Sequence, residues 1–186
     1  MTAVASALSF RISPIIRITL TLLYLALTVP LPFLAVASPV EFPVTLLIAG
    51  LIIGLILLQG ALSQKVLVDE EQIAVTYPWW FPDFLQKGWS LCWSEVDQLK
   101  LRTTGQGGLV YYFVTPERDR AYLLPMRVAG FAKLVQVVEG KTGIDTRDIR
   151  PLAQPWMYLI LLGFTLLLLL VDTWTIWTAL TQGLMV

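Results

Sequence analysis

Few residues in this 186-residue chain could carry chemistry, and their spacing excludes more than it offers. There is no histidine, which removes the commonest general base and the commonest metal ligand. The single cysteine, Cys92, can form neither an internal disulfide nor a zinc or iron–sulfur site without other ligands. It stands in Leu91-Cys92-Trp93, an apolar strand-like run, and reads as a small buried hydrophobe. Gly105-Gln106-Gly107-Gly108 lacks the lysine and the following helix by which a glycine-rich loop holds phosphate, so it reads as a turn. Asp172 is the one acid in a long apolar stretch. At a bilayer centre it would mark a proton or ion pathway. Counted from Trp156, however, it lies roughly 24 Å along a helix axis, at the level of the far headgroups. The sequence therefore predicts no catalytic set, no metal site and no cofactor site; the expectation is a non-enzyme.

The elements around these residues are set by hydropathy. The chain is 56% hydrophobic and 14% charged, against about 25% charge in soluble domains, so it is expected to be an integral membrane protein. Its net charge is zero, which gives a nucleic-acid partner no electrostatic support. The first uncharged run is 18–36; at nineteen residues it would reach roughly 28 Å as a helix. Pro30 and Pro32 should kink its end or stop the regular helix near Val29. Ala35-Val36-Ala37 also resembles a signal-peptidase site, an alternative fate for this run. The second run is 44–62. It contains Gly50 and Gly54 on one helix face, a spacing that lets another helix approach closely. A six-residue connection makes the two spans a hairpin. The third span starts after Pro155, with Trp156 and Tyr158 at one end and Trp174 and Trp177 at the other as interfacial belts. Thr165, Asp172, Thr175 and Gln182 fall on one face at helical spacing, and that face is the one expected to meet another protein.

Thirteen Lys and Arg residues fix the expected orientation: two before the first span, eleven between Lys65 and Arg150, none elsewhere. The positive-inside rule then puts the amino terminus and the central segment on the cytoplasmic (or stromal) side. The predicted division is 1–64 for tail and hairpin, 65–154 for a polar domain, and 155–186 for the third helix and a short outer tail.

Within 65–154 several short runs alternate or are rich in strand formers: 66–68, 73–77, 89–93, 96–103, 109–114 and 120–124. From Val128 the spacing changes to threes and fours, predicting an amphipathic helix over about 127–140. The expected domain is thus about six antiparallel strands closed by one helix. Glu117-Arg118-Asp119-Arg120 reads as a solvated turn. Between two of the strands lies Pro78-Trp79-Trp80-Phe81-Pro82-Asp83-Phe84. Its aromatics Trp79, Trp80, Phe81 and Phe84 either fold back on the sheet or form an exposed anchor for lipid or for a partner.

Val68-Asp69-Glu70-Glu71-Gln72-Ile73-Ala74-Val75, Trp93-Ser94-Glu95-Val96-Asp97-Gln98-Leu99 and Tyr122-Leu123-Leu124-Pro125 with the closing helix resemble the bacterial PH-like domains found beside membrane helices. The two amino-terminal spans and Trp79-Trp80-Phe81-Pro82 are also distantly similar to the photosystem I assembly protein family of cyanobacteria and chloroplasts. Together these resemblances cover about residues 17–145; the third span departs from the assembly-protein layout. They imply an α+β integral membrane protein: a transmembrane hairpin, a PH-like antiparallel domain with one helix, and a carboxyl-terminal span. They imply an adaptor for assembly, stability or accessory work on a larger membrane complex such as a photosystem, in a thylakoid or plasma membrane. Its expected partners are membrane lipids and the subunits of that complex. The alternative is a lipid-sensing module built on the aromatic loop.

Overall fold

A computed structural model of the chain describes residues 8–37, 43–103, 109–116, 120–147, 149 and 155–181. The architecture is α+β, with antiparallel sheets and three helices long and apolar enough to cross a membrane. The chain divides into two compact units, Met1–Ser13 with Gly60–Gln154, and Pro14–Gln59 with Pro155–Val186.

The first unit holds two sheets. One has four strands in the order β1 (Leu8–Arg11), β2 (Lys65–Val68), β3 (Gln72–Thr76), β4 (Trp89–Cys92). The other has three: β5 (Gln98–Thr103), β6 (Leu109–Val114) and β7 (Ala121–Leu123). All neighbouring pairs are antiparallel. Period-two alternation decides which side chains enter the core: Val66 and Val68 on β2, Ile73 and Val75 on β3, and Leu91 on β4 are buried. Phe113, wholly buried on β6, meets them together with Leu124, Met126 and Val128 from the chain after β7.

The six strands expected between Lys65 and Leu124 are all present, within two residues at each end. The expected tail is not a tail. Leu8–Arg11 pairs with β2 from Leu8↔Val68 to Arg11↔Lys65, and Phe10 and Ile12 are buried. Arg11 O accepts from Ala129 N at 2.7 Å, and Ser13 N donates to Arg127 O at 3.0 Å. The domain is therefore discontinuous in sequence, and the expected boundary at residue 64 gives way to a hairpin inserted between its first two strands.

The turn from β2 to β3 is held by Asp69, whose Oδ1 accepts from the backbone N–H of Glu71 (2.9 Å) and Gln72 (2.8 Å). These two amides hold its carboxyl below the usual carboxylate range. Trp93 locks the same turn by donating its backbone N–H to Glu71 O and its indole N–H to Asp69 O. Helix α4 (Phe131–Thr142) closes the unit by burying Phe131, Leu134, Val135 and Val138 along one face. Gly140 lies inside it, whereas Gly143 ends it in the left-handed conformation (φ 69°) and returns its N–H to Glu139 O.

In the second unit, α1 (Pro14–Thr28) stops where the prolines were expected to stop it. Val29 is a turn residue and α2 (Pro30–Ala37) begins at once. The remaining helices are α3 (Val44–Ala61), whose last two residues, Gly60 and Ala61, belong to the first unit, and α5 (Pro155–Thr181). α5 packs along α1, and α2 touches both. From α1, Tyr24 OH donates to Leu51 O of α3 at 2.6 Å, and Gln59 Nε2 donates back to Thr21 Oγ1 at 2.8 Å. A Cβ on Gly54 would stand 2.6 Å from Tyr24 Oη, while one on Gly50 would meet nothing within 4 Å. The two glycines thus do different things: Gly54 admits Tyr24, and Gly50 makes no close approach.

Gly54→Val is expected to break the Tyr24–Leu51 bond and lower the unfolding temperature in detergent, at a cost of about 1 kcal/mol for one interhelical hydrogen bond. Gly50→Val should leave that temperature unchanged. Equal shifts for both variants would contradict the assignment.

Candidate functional site

β3 and β4 pair closely, with Val75 opposite Trp89, yet thirteen residues separate these two positions. The intervening chain is built from two successive turns. Phe81 N–H donates to Pro78 O at 2.9 Å, and Leu85 N–H donates to Pro82 O at 3.1 Å. Each proline opens a turn, and the aromatic residues occupy the turn positions. Gly88 lets the loop rejoin the sheet, since a Cβ there would lie 2.6 Å from the Val75 carbonyl oxygen.

The choice between a folded-back loop and an exposed anchor resolves residue by residue. Phe81 is folded back, 5% exposed. Its ring covers Gly60, where a Cβ would lie 2.2 Å from Cδ2. Tyr77 flanks it at 5.7 Å between ring centroids and Trp80 meets it edge-on at 6.3 Å. Burial raises the Tyr77 phenol above its ordinary pKa, so it stays a neutral wall. Trp79, by contrast, is 95% exposed and Phe84 is 86% exposed. Trp80 and Leu85 are exposed to a lesser degree beside them. The loop is therefore a clamped base with two aromatic side chains held out in solvent. An open cleft of about 390 Å³ runs between Trp79, Asp83 and the β3–β4 strands, floored by Thr76, Trp89 and Ser90.

The face expected on the third span is divided. Thr165 is buried and bonds its hydroxyl to Leu161 O, so it serves packing inside the helical unit. Thr175 is exposed, with its hydroxyl bonded to Val171 O. Asp172 lies between these two settings: it is half-buried, and its Oδ2 is shielded without a hydrogen-bond partner among the described residues. Trp174 and Trp177 are exposed beyond it, as a belt requires.

Cys92 is exposed, against the expectation of burial. Alternation on β4 sends Leu91 into the core and its neighbour out. The Gly105–Gly108 turn, Glu117-Arg118-Asp119 and Gln182 lie outside the described residues. Among the described residues, no group of three or more acidic or Cys side chains is placed to hold a metal ion.

A second concentration of function-bearing side chains lies on the three-stranded sheet and was not legible as a run. Lys100 and Arg102 of β5, Tyr112 and Val114 of β6, and Arg120 and Ala121 at the start of β7 line one pocket.

No family model and no solved structure matches the chain. It is 60% identical over 160 residues to a protein of Synechocystis sp. described as "Uncharacterized protein slr0269", a match covering 86% of this chain and 80% of that one. With that identity sustained over most of both sequences, the chain belongs to the family of this cyanobacterial protein.

Proposed function

We propose that the protein is a non-enzymatic, membrane-anchored adaptor, an assembly, stability or accessory factor of a larger membrane complex. The observation that carries this reading is the pair Trp79 and Phe84, held almost fully in solvent on a loop whose base is clamped by Phe81. Covering a tryptophan side chain of roughly 200 Å² is worth roughly 5 kcal/mol before ordering costs, so a fixed and exposed one is a hot spot awaiting a partner. The clamp supplies preorganisation, which lowers the entropy cost of docking. Four strands, three strands and a closing helix support the PH-like reading of the domain. The distribution of Lys and Arg favours its placement on the cytoplasmic or stromal side. A relative in Synechocystis suits a cyanobacterial membrane, thylakoid or plasma, and a photosynthetic complex such as photosystem I as client.

A second reading, contact of the loop with the bilayer surface, is favoured by one observation. Phe81 rests on Gly60 in the last turn of α3, where an apolar span ends.

One experiment separates the two: capture of the tagged full-length chain from native membranes in mild detergent, beside the Trp79→Ala/Phe84→Ala variant. The adaptor reading expects stoichiometric membrane-protein partners with the native chain, with affinity reduced about thirtyfold or more in the variant, the minimum for one lost hot spot of about 2 kcal/mol. An eluate of this protein and lipid alone would overturn it in favour of the bilayer.

A further inference from the structure

Strand parity gathers three cations from distant parts of the chain onto the outer face of the four-stranded sheet. Phe10 and Ile12 turn into the core, so Arg11 between them points out. Val66 turns in opposite Phe10, so Lys65 points out, directly opposite Arg11 in the β1–β2 ladder. The chain around Val128 continues the sheet beyond β1. Ile12 bridges to Val128, Ala129 N–H donates to Arg11 O, and Ser13 N–H donates to Arg127 O. Met126 and Val128 are buried, which sends Arg127 outward on the same face, diagonally across from Arg11. Neighbouring strands lie about 4.8 Å apart, so the three positions span roughly 10 Å. All three side chains are exposed, and among the described residues none of them makes a hydrogen bond or an ion pair. Asp83 lines the cleft beside Thr76, the other ladder neighbour of Lys65, and makes no ion pair with it.

We infer that Arg11, Lys65 and Arg127 form a binding site for the headgroup of an anionic phospholipid. Like charges set directly opposite each other in a ladder are unfavourable without a counter-ion. A phosphodiester between Arg11 and Lys65 turns that repulsion into charge-assisted contacts, and a guanidinium fork grips its oxygens in pairs. Covalent continuity supplies the membrane. Arg11 precedes the first residue of α1 by three positions, and Lys65 follows the last residue of α3 by four. Four extended residues reach at most about 14 Å. Both helices belong to segments long and apolar enough to cross a bilayer, so these two cations are tied within reach of a headgroup layer. Basic side chains that close to an anionic surface are each attracted to it. Residues 11, 65 and 127 form no basic run in the sequence; only the ladder brings them together. The site is separate from the 78–85 loop and does not depend on the adaptor reading.

The test titrates phosphatidylglycerol into the full-length protein in maltoside micelles and counts bound lipid by native mass spectrometry. Phosphatidylcholine with the same acyl chains is titrated in parallel. Phosphatidylglycerol is expected to bind about tenfold more tightly, or better. Arg11→Gln, Lys65→Gln and Arg127→Gln should each weaken phosphatidylglycerol about fivefold, the scale of one basic side chain at an anionic surface, and leave phosphatidylcholine unchanged. Lys133→Gln, an exposed change on α4, should alter neither. Without anionic lipid, Arg11→Gln and Lys65→Gln relieve the cross-strand repulsion. Their unfolding temperatures should then equal or exceed the native one, which shows that the fold is kept. Equal affinity for the two lipids, or equal losses with Lys133→Gln, would overturn the proposal. Displacement of phosphatidylglycerol by an equal concentration of inorganic phosphate would assign the site to a free anion and overturn it as well.

Discussion

Phe10→Ala is expected to destabilise the sheet-bearing unit by about 3–5 kcal/mol, the range for emptying a buried aromatic site. Domains of this size are stable by only about 5–15 kcal/mol in all, so the variant should unfold at markedly lower denaturant. Phe10 packs within the same core as Val66, Val68 and Val128, and it lies 3.8 Å from the Cβ position of Gly130 at the start of α4. Removing its ring therefore loosens β1, β2 and the closing helix together. Leu8→Ala supplies the control, because Leu8 is exposed at the strand's outer end; surface changes of that kind stay within about 0.5 kcal/mol. Denaturant titration of the full-length protein in detergent, followed by tryptophan emission, reads both. If the two variants unfold at the native midpoint, β1 is not part of the folded domain.

Gly60→Val should cost about 3 kcal/mol, at the upper end of the range for overpacking a filled site. Its Cβ would fall 2.2 Å from Phe81 Cδ2 and 2.9 Å from Trp80 Cη2, and Phe81 is itself buried. The collision dislodges the base of the aromatic loop, so partner capture through Trp79 and Phe84 should fall with stability. A double-mutant cycle isolates the contact. In a Phe81→Ala background the valine fills the vacated space, and its cost should drop to about 1 kcal/mol or less, as for a volume-conserving exchange. An undiminished cost in that background would mean that Gly60 is needed for some other reason.

Sequence patterning carries most of this fold, because most of it is local. Span lengths, the proline stop before Pro30, and β2 to β7 all follow from runs of fewer than twenty residues. β1 escaped because its evidence is non-local. Phe10 and Ile12 do alternate with Ser9 and Arg11, but four residues ahead of a span carry no mark of a partner strand beyond the hairpin. The aromatic loop was visible as a cluster, yet nothing within it singles out Phe81 to turn inward. That choice depends on the missing side chain of Gly60, twenty-one positions earlier. Cys92 was misplaced for a simpler reason: apolar neighbours suggested burial, while strand parity with Leu91 required exposure. The basic pocket is spread over strands twenty residues apart, so neither Lys100-Leu101-Arg102 nor Arg120 stands out in the linear chain.

The pairing of β1 with β2 also imposes a rule of parity. Arg11 and Lys65 face each other in one ladder, so the polypeptide leaves and re-enters the sheet on a single side of any membrane. Whatever lies between them must cross an even number of times, and two helices of sufficient length are there to do so. A lone crossing would tear the ladder. The rule holds without reference to charge, so it constrains insertion independently of where the lysines and arginines fall. It also orders biogenesis, since the first strand can pair only after both crossings are finished and its partner has emerged on the same side. Removal of the first span by a peptidase would take that strand with it and leave the edge of β2 bare.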